Sequence, residues 1–275
     1  MENPKVLYVS QEVTPFLPEN KLSRISRNIP QGIKERGKEI RVFTPRYGKI
    51  NERRHQLHEV IRLSGMNLII NDADHPLIIK VASIPAARMQ VYFIDSEEYF
   101  HRKAVNRDEN GTFFSDNDER AIFFSKGVLE TIKKLGWTPD IIHCHGWMAG
   151  LMPAFVKELY NDDPHFSGSR IVYSIYGDGG EESLDQNLTD KLKMEGFQEG
   201  TTSRFQGPDY RDIHRSAIQH ADAVIQADEG IDETIKEELK GLEKPFLSPC
   251  AEEECVEAYN ELYDKVLDDK EVLAE

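Results

Sequence analysis

Apolar and polar positions along the chain alternate between two periods. Lys5 to Ser10 (KVLYVS) is a short, nearly continuous apolar run, the pattern of a strand covered on both faces. Leu22, Ile25, Ile29 and Ile33 then recur at spacings of three and four, which predicts a helix from Leu22 to Arg36 closed by Gly37. Pro30 removes one backbone donor inside it, so a kink is expected there. Glu39 to Pro45 (EIRVFTP) reads as the next strand, completing a strand, helix, strand unit and hence a right-handed parallel crossover.

HEVIRLS, MNLIIND, PLIIKVAS and MQVYFIDS follow as four apolar segments separated by short polar turns, the signature of an antiparallel edge meander. A long helix is expected from Asp116 to Lys134 with Ser115 or Asp116 as cap, then a strand over Asp140 to His145 and a helix over Trp147 to Tyr160. Another strand is predicted over Arg170 to Tyr176, a helix near Tyr210 to His220, a strand at ADAVIQA and a helix from Asp232 to Lys240. The expected fold class is α/β: a Rossmann-like, mostly parallel sheet with an antiparallel meander at one edge.

Two stretches stand apart. Gly177 to Asn187 (GDGGEESLDQN) is Gly-rich and acidic, as in a mobile loop. Ala251 to Leu273 reads as an acidic helix with Val256, Tyr259, Leu262, Tyr263 and Val266 on one side. That stripe is expected to dock on the sheet domain, a partner surface being the alternative, which divides the chain into a domain over residues 1–245 and a docked helix over 246–275.

The chain has 275 residues and a net charge of -15, with its basic residues dispersed. That balance argues against nucleic acid and anionic membrane surfaces as partners, since both call for clustered Lys and Arg. A mean hydropathy of -0.55 and the absence of a long apolar run exclude a spanning helix, and the N-terminus has no apolar signal core, so a cytoplasmic location is expected. The three cysteines, Cys144, Cys250 and Cys255, fit a reducing compartment and read as incidental; the Cys250 to Cys255 spacing is wide for a metal motif, and no metal or other cofactor is expected.

Several strings occur in order: KVLYVSQEVTPF, IKERGKEIRVFTPRYG, VYFIDSEEYFHR, SDNDERAIFF, PDIIHCHGWMAGLMP and YNDDPHFSGSRIVYSIY. Together they resemble the N-terminal half of the bacterial glycogen and starch synthases that use ADP-glucose, closely over residues 3 to 177 and more weakly through YRDIHRSAIQHADAVIQADEGIDETI. The resemblance implies the GT-B arrangement, two Rossmann-like domains across a cleft with the donor nucleotide held mainly by the C-terminal one. This sequence leaves the pattern near Lys240 and reaches EAYNELYDKVL, similar to the family's final helix, without a counterpart of the nucleotide-binding half.

In the family, the first strand runs into a Lys-x-Gly-Gly turn, followed by an aspartate, that contacts the nucleotide side of the active site. Here Pro18 stands at the lysine, Asn20 and Lys21 at the glycines, and Arg24 at the aspartate. Proline offers neither amide nor charge, and side chains at 20 and 21 crowd a diphosphate that needs bare backbone. The resemblance also sets Tyr176 and Gly177 at a histidine and an asparagine, Gly146 at the aspartate of a His-Asp-Trp turn, and Arg107 at a tyrosine.

Glu12, Asp116, Asn117, Glu119, Arg120, His143, His145 and Trp147 match the family pattern. Of these, Glu12, Asn117, Arg120, His145 and Trp147 are the candidate substrate contacts. Structural explanations stand beside them: acidic residues suit a helix start, two histidines on one strand face can be core, and Trp147 can pack beneath the cleft.

Three functions follow. The first is a glycosyltransferase-like protein without synthase activity by itself, binding an α-glucan, a sugar phosphate or a protein partner that covers the open cleft face. The second is an active synthase assembled with a separate donor domain. The third is other small-molecule chemistry with Glu12 and His145 as acid and base.

Overall fold

The computed structural model describes residues 3–178, 183–205 and 207–272, with side chains as far as residue 268. Ten strands form the sheet system: β1 (Lys5–Ser10), β2 (Glu39–Pro45), β3 (His58–Glu59), β4 (Met66–Ile70), β5 (Ala73–Ile84), β6 (Met89–Asp95), β7 (Ile141–His145), β8 (Arg170–Ile175), β9 (Ala223–Gln226) and β10 (Phe246–Leu247). Their order is β10-β9-β8-β7-β1-β2-β6-β5-β3, with β4 paired to β5 off this path. All pairs from β10 to β6 are parallel, and β5 pairs antiparallel with β6, β3 and β4. The strands of the centre are buried on both faces, which is why they read as uninterrupted apolar runs.

The edge meander is shorter than its apolar segments. Only His58 and Glu59 of HEVIRLS are strand, because the Val60 amide bonds Ile79 and the chain then turns, with the Leu63 amide on the Val60 carbonyl. β4 and β5 form a hairpin whose two turn residues, Asn71 and Asp72, both have positive φ, the geometry that matches strand twist.

The Lys21–Glu35 helix begins one residue earlier than expected because Asn20 caps it, and it continues through Pro30. Trp147 to Tyr160 is not one helix. A single 3₁₀ turn (Trp147–Ala149), a short turn (Met152–Ala154) and a wider π turn (Phe155–Leu159) replace it. Gly150 packs where a Cβ would stand 2.5 Å from Ile213, and Pro153 lacks the amide a continuous helix needs. The helix Leu188–Glu195 and the two-residue β10 were not anticipated. Of the Gly177 to Asn187 loop, residues 179–182 lie outside the described residues.

The Glu252–Val272 helix lies against Lys21–Glu35 and the sheet. Cys255, Tyr259, Leu262, Tyr263 and Val266 are buried, each contributing about 1.5–3 kcal/mol if fully desolvated. Glu252 pairs with Arg24 at 2.9 Å, Glu257 with Arg36 at 2.8 Å, and Asp264 with the buried Lys38 at 2.7 Å. The two exposed pairs, Arg24–Glu252 and Arg36–Glu257, are worth about 0–1 kcal/mol each, so the apolar stripe does most of the holding. The reading of three reduced cysteines is corrected: Cys250 and Cys255 form a disulfide, and only Cys144 among the described cysteines is a thiol. No helix among the described residues is long and apolar enough to cross a membrane.

Candidate functional site

The carboxyl ends of β1, β7, β8 and β9 lie side by side, the edge where parallel α/β sheets bind ligands. β1 delivers Gln11 and Glu12, β7 delivers Gly146 and Trp147, β8 delivers Gly177 and Asp178, and β9 delivers Asp228.

Asn20 organises the first corner. Its Oδ1 accepts from the Ser23 amide at 2.7 Å, its own amide donates to Ser23 Oγ at 2.9 Å, and its Nδ2 donates to Glu12 Oε2 at 2.8 Å. The reciprocal capping box therefore also pins the Glu12 carboxylate. Burial raises the Glu12 pKa, opposed by hydrogen bonds from Asn20 and Gln11 and by the charge of Lys49. Lys21 Nζ lies 3.4 Å from Asp228, and Arg24 engages Glu19 at 3.2 Å as well as Glu252. Both cations are thus turned to carboxylates, and Pro18 is exposed.

Gly146 sits at φ +78, a backbone state that side chains disfavour. A Cβ there would stand 2.6 Å from Asp178 Oδ2 and 2.8 Å from Leu22 Cδ1. Asp178 Oδ2 in turn accepts from the Trp147 amide at 3.3 Å, and Gln11 Oε1 accepts from Met148 at 3.3 Å. The turn after β7 is capped from neighbouring strands. Burial pushes the Asp178 carboxyl up to about 7, backbone donors lower it, and Glu12 and Asp228 add to the rise. Gly177 is just as constrained, since a Cβ would meet the Gly230 carbonyl oxygen at 2.4 Å.

His143 and His145 do share a face, with ring centroids 3.9 Å apart, but both are fully buried. His143 Nδ1 is 2.5 Å from the Tyr263 hydroxyl and its Nε2 is 2.7 Å from Ser174 Oγ; His145 Nδ1 is 2.9 Å from the Tyr176 hydroxyl. Burial lowers both imidazoles, His145 to about 3, so they stay neutral. Tyr176 points inward to this network.

Asn117 and Arg120 are also buried. Arg120 Nε donates to the Tyr99 carbonyl at 2.8 Å and its NH1 to Asn117 Oδ1 at 2.5 Å, with the guanidinium against Tyr47, Phe100 and Phe114. Burial pulls its pKa down to about 10. Asn117 Nδ2 donates to the Asn106 carbonyl at 2.9 Å. Trp147 is buried beside Phe113, on which Arg107 also stacks. Asp116 holds Arg102 at 2.7 Å, and Glu119 meets the Tyr99 hydroxyl at 3.0 Å and Lys191 at 2.8 Å. The structure thus brings Glu12, Asn20, Lys21 and Gly177 together at one corner beside the buried Gly146, and sets Asn117, Arg120, His145 and Trp147 in the interior. Asp178 and Asp228 are the corner residues that sequence reasoning missed; the acidic run from Gly177 to Asn187 was a trace of Asp178 alone.

The model of the starch synthase catalytic domain matches residues 5–246. The chain belongs to the starch synthase catalytic domain family. Glycogen synthase from Chlorobium limicola is 38% identical over 221 residues, covering 80% of this chain and 45% of that protein. Glycogen synthase from Chlorobium luteolum is 40% identical over 194 residues, 70% of this chain and 40% of that protein. The chain therefore spans less than half the length of these relatives. The catalytic domain of starch synthase IV from Arabidopsis thaliana, bound to ADP and acarbose, has the same fold, with a TM-score of 0.70 at 17% identity over 90% of this chain and 51% of that one. Among the described residues, no group of three or more His, Cys, Asp and Glu is arranged to hold a metal ion.

Proposed function

We propose that this starch synthase-family chain binds α-glucan at the corner formed by Glu12, Asn20, Asp178 and Asp228 and does not by itself transfer glucose from ADP-glucose. One observation carries the reading: the hydrogen bond from Asn20 to Glu12 fills the turn where bare backbone would meet a diphosphate. Around it stand three carboxylates, Glu12, Asp178 and Asp228, while Lys21 and Arg24 are each turned to an acid. Glucosyl transfer from a nucleotide depends on preorganised donors around the departing diphosphate, and an acid-rich corner disfavours that charge. Carboxylates and amides suit neutral sugar hydroxyls instead. Support for a sugar ligand comes from the relatives' names and from the acarbose bound to the Arabidopsis enzyme.

Isothermal titration of the purified chain with ADP-glucose, ADP and maltoheptaose tests this. Heat from maltoheptaose and none from ADP-glucose is expected. Micromolar ADP-glucose binding, or glucose incorporation into glycogen by the chain alone, overturns it. Incorporation that requires both this chain and a cell extract would favour the split synthase.

A further inference from the structure

A cavity of about 230 Å³ opens between the Lys21–Glu35 helix and the start of the Glu252–Val272 helix. Ile25, Ile29 and Val256 give it apolar walls, and both sulfur-bearing residues of the Cys250–Cys255 disulfide line it. The bridge ties the half-buried residue just before the helix to a buried residue in its first turn, where the Cys255 amide donates to the Ala251 carbonyl at 3.0 Å. That same turn carries Glu252, which reaches Arg24 at 2.9 Å and Asn28 at 3.2 Å, and leads directly to Val256, seated on Gly32.

The geometry points to Cys250–Cys255 as a reversible thiol–disulfide site that latches the first turn of the C-terminal helix onto the Lys21–Glu35 helix. The cavity admits a small dithiol to the more exposed Cys250. A reagent thiolate attacks the Cys250 sulfur, the bond to Cys255 breaks, and Cys255 leaves as thiolate while a mixed disulfide forms. The reagent's second thiol then displaces Cys250 and closes its own disulfide. Two electrons pass from the reagent to the protein, and the two released cysteines take up protons according to their thiol pKa. Cys144, fully buried in β7, serves as an internal reference for a thiol that reagents do not reach.

The test treats the native protein with dithiothreitol, alkylates it, maps the modified cysteines by mass spectrometry and follows amide hydrogen exchange. Without reductant, neither Cys250 nor Cys255 is alkylated. With it, both are modified together while Cys144 stays protected, and the amides of residues 254–256 lose protection while those of β7 and β8 keep theirs. A Cys250→Ser/Cys255→Ser variant shows the same local loss with no reductant. Alkylation of either cysteine in unreduced protein overturns the proposal, as does a disulfide that yields only on global unfolding. So does reduction that leaves residues 254–256 as protected as before.

Discussion

Asn20 holds Glu12 through a 2.8 Å hydrogen bond while the other end of the same amide caps the helix that follows. One side chain therefore blocks the turn and stabilises it. Asn20→Ala is expected to cost about 1 kcal/mol in urea unfolding, the usual value of a lost N-cap. Asn20→Gly should cost only a few tenths, and by calorimetry it should gain no affinity for ADP-glucose, because Glu12 and Asp228 remain.

Restoring a carboxylate at position 146 is expected to fail. Gly146→Asp places a Cβ 2.6 Å from Asp178 and 2.8 Å from Leu22 on a backbone at φ +78. A loss of about 1–3 kcal/mol follows from the backbone alone. Adding Asp178→Gly should recover part of it, read as a partial return of Tm.

The contact of Gly32 with Val256 sets how closely two helices approach. Alanine at 32 gains about 1 kcal/mol of helix propensity but drives its Cβ to 2.4 Å from Val256 Cγ1. Overpacking of this kind costs about 1–3 kcal/mol, so Gly32→Ala should destabilise. In the Val256→Ala background the same change should be neutral or stabilising, a coupling that a double-mutant cycle in denaturant measures directly.

Acid should unfold this protein through its buried imidazoles. Burial lowers His143, His145 (to about 3) and His214 (to about 4), whereas an unfolded histidine titrates near 6.5. Below that value the unfolded chain binds more protons, so the histidine contribution is complete above pH ~6.5 and falls as pH drops, by up to about 1.4 kcal/mol per pH unit for each histidine. His145→Gln should flatten the dependence of Tm on pH between 4 and 6.5.

Asp178 contributes with the opposite sign. Its carboxyl is raised to about 7 in the fold, so the native state binds the extra proton and loses stability as pH rises from the ordinary aspartate range through 7. Asp178→Asn keeps an oxygen for the Trp147 amide and removes the charge. The variant should match wild type near pH 4 and exceed it at pH 8, by a few kcal/mol at most, in paired thermal melts.

The sheet was legible because β-branched runs such as KVLYVS and RIVYSIY have few other places to go, and the first helix because its isoleucines keep a helical period. The corner was legible only in part. Asn20 could be seen to replace a glycine, but its bond to Glu12 depends on how the turn folds back. Asp178 reaches the Gly146–Trp147 turn from the neighbouring strand, and no local pattern announces such a contact. The Cys250 and Cys255 spacing suits a disulfide only once the helix begins at Glu252 and brings the sulfurs round one turn. Trp147 to Tyr160 reads as one helix yet breaks up, since Pro153 withholds an amide that a continuous helix would use.

β1 stands at the centre of the sheet, yet the backbone of Lys5 is anchored by Asp140, 135 residues further along. During synthesis β1 must therefore wait beside β2 while its other flank stays bare until β7 is made. An apolar edge held open that long is an invitation to chaperones and to misassembly, and slow synthesis between the two strands would lengthen the exposure.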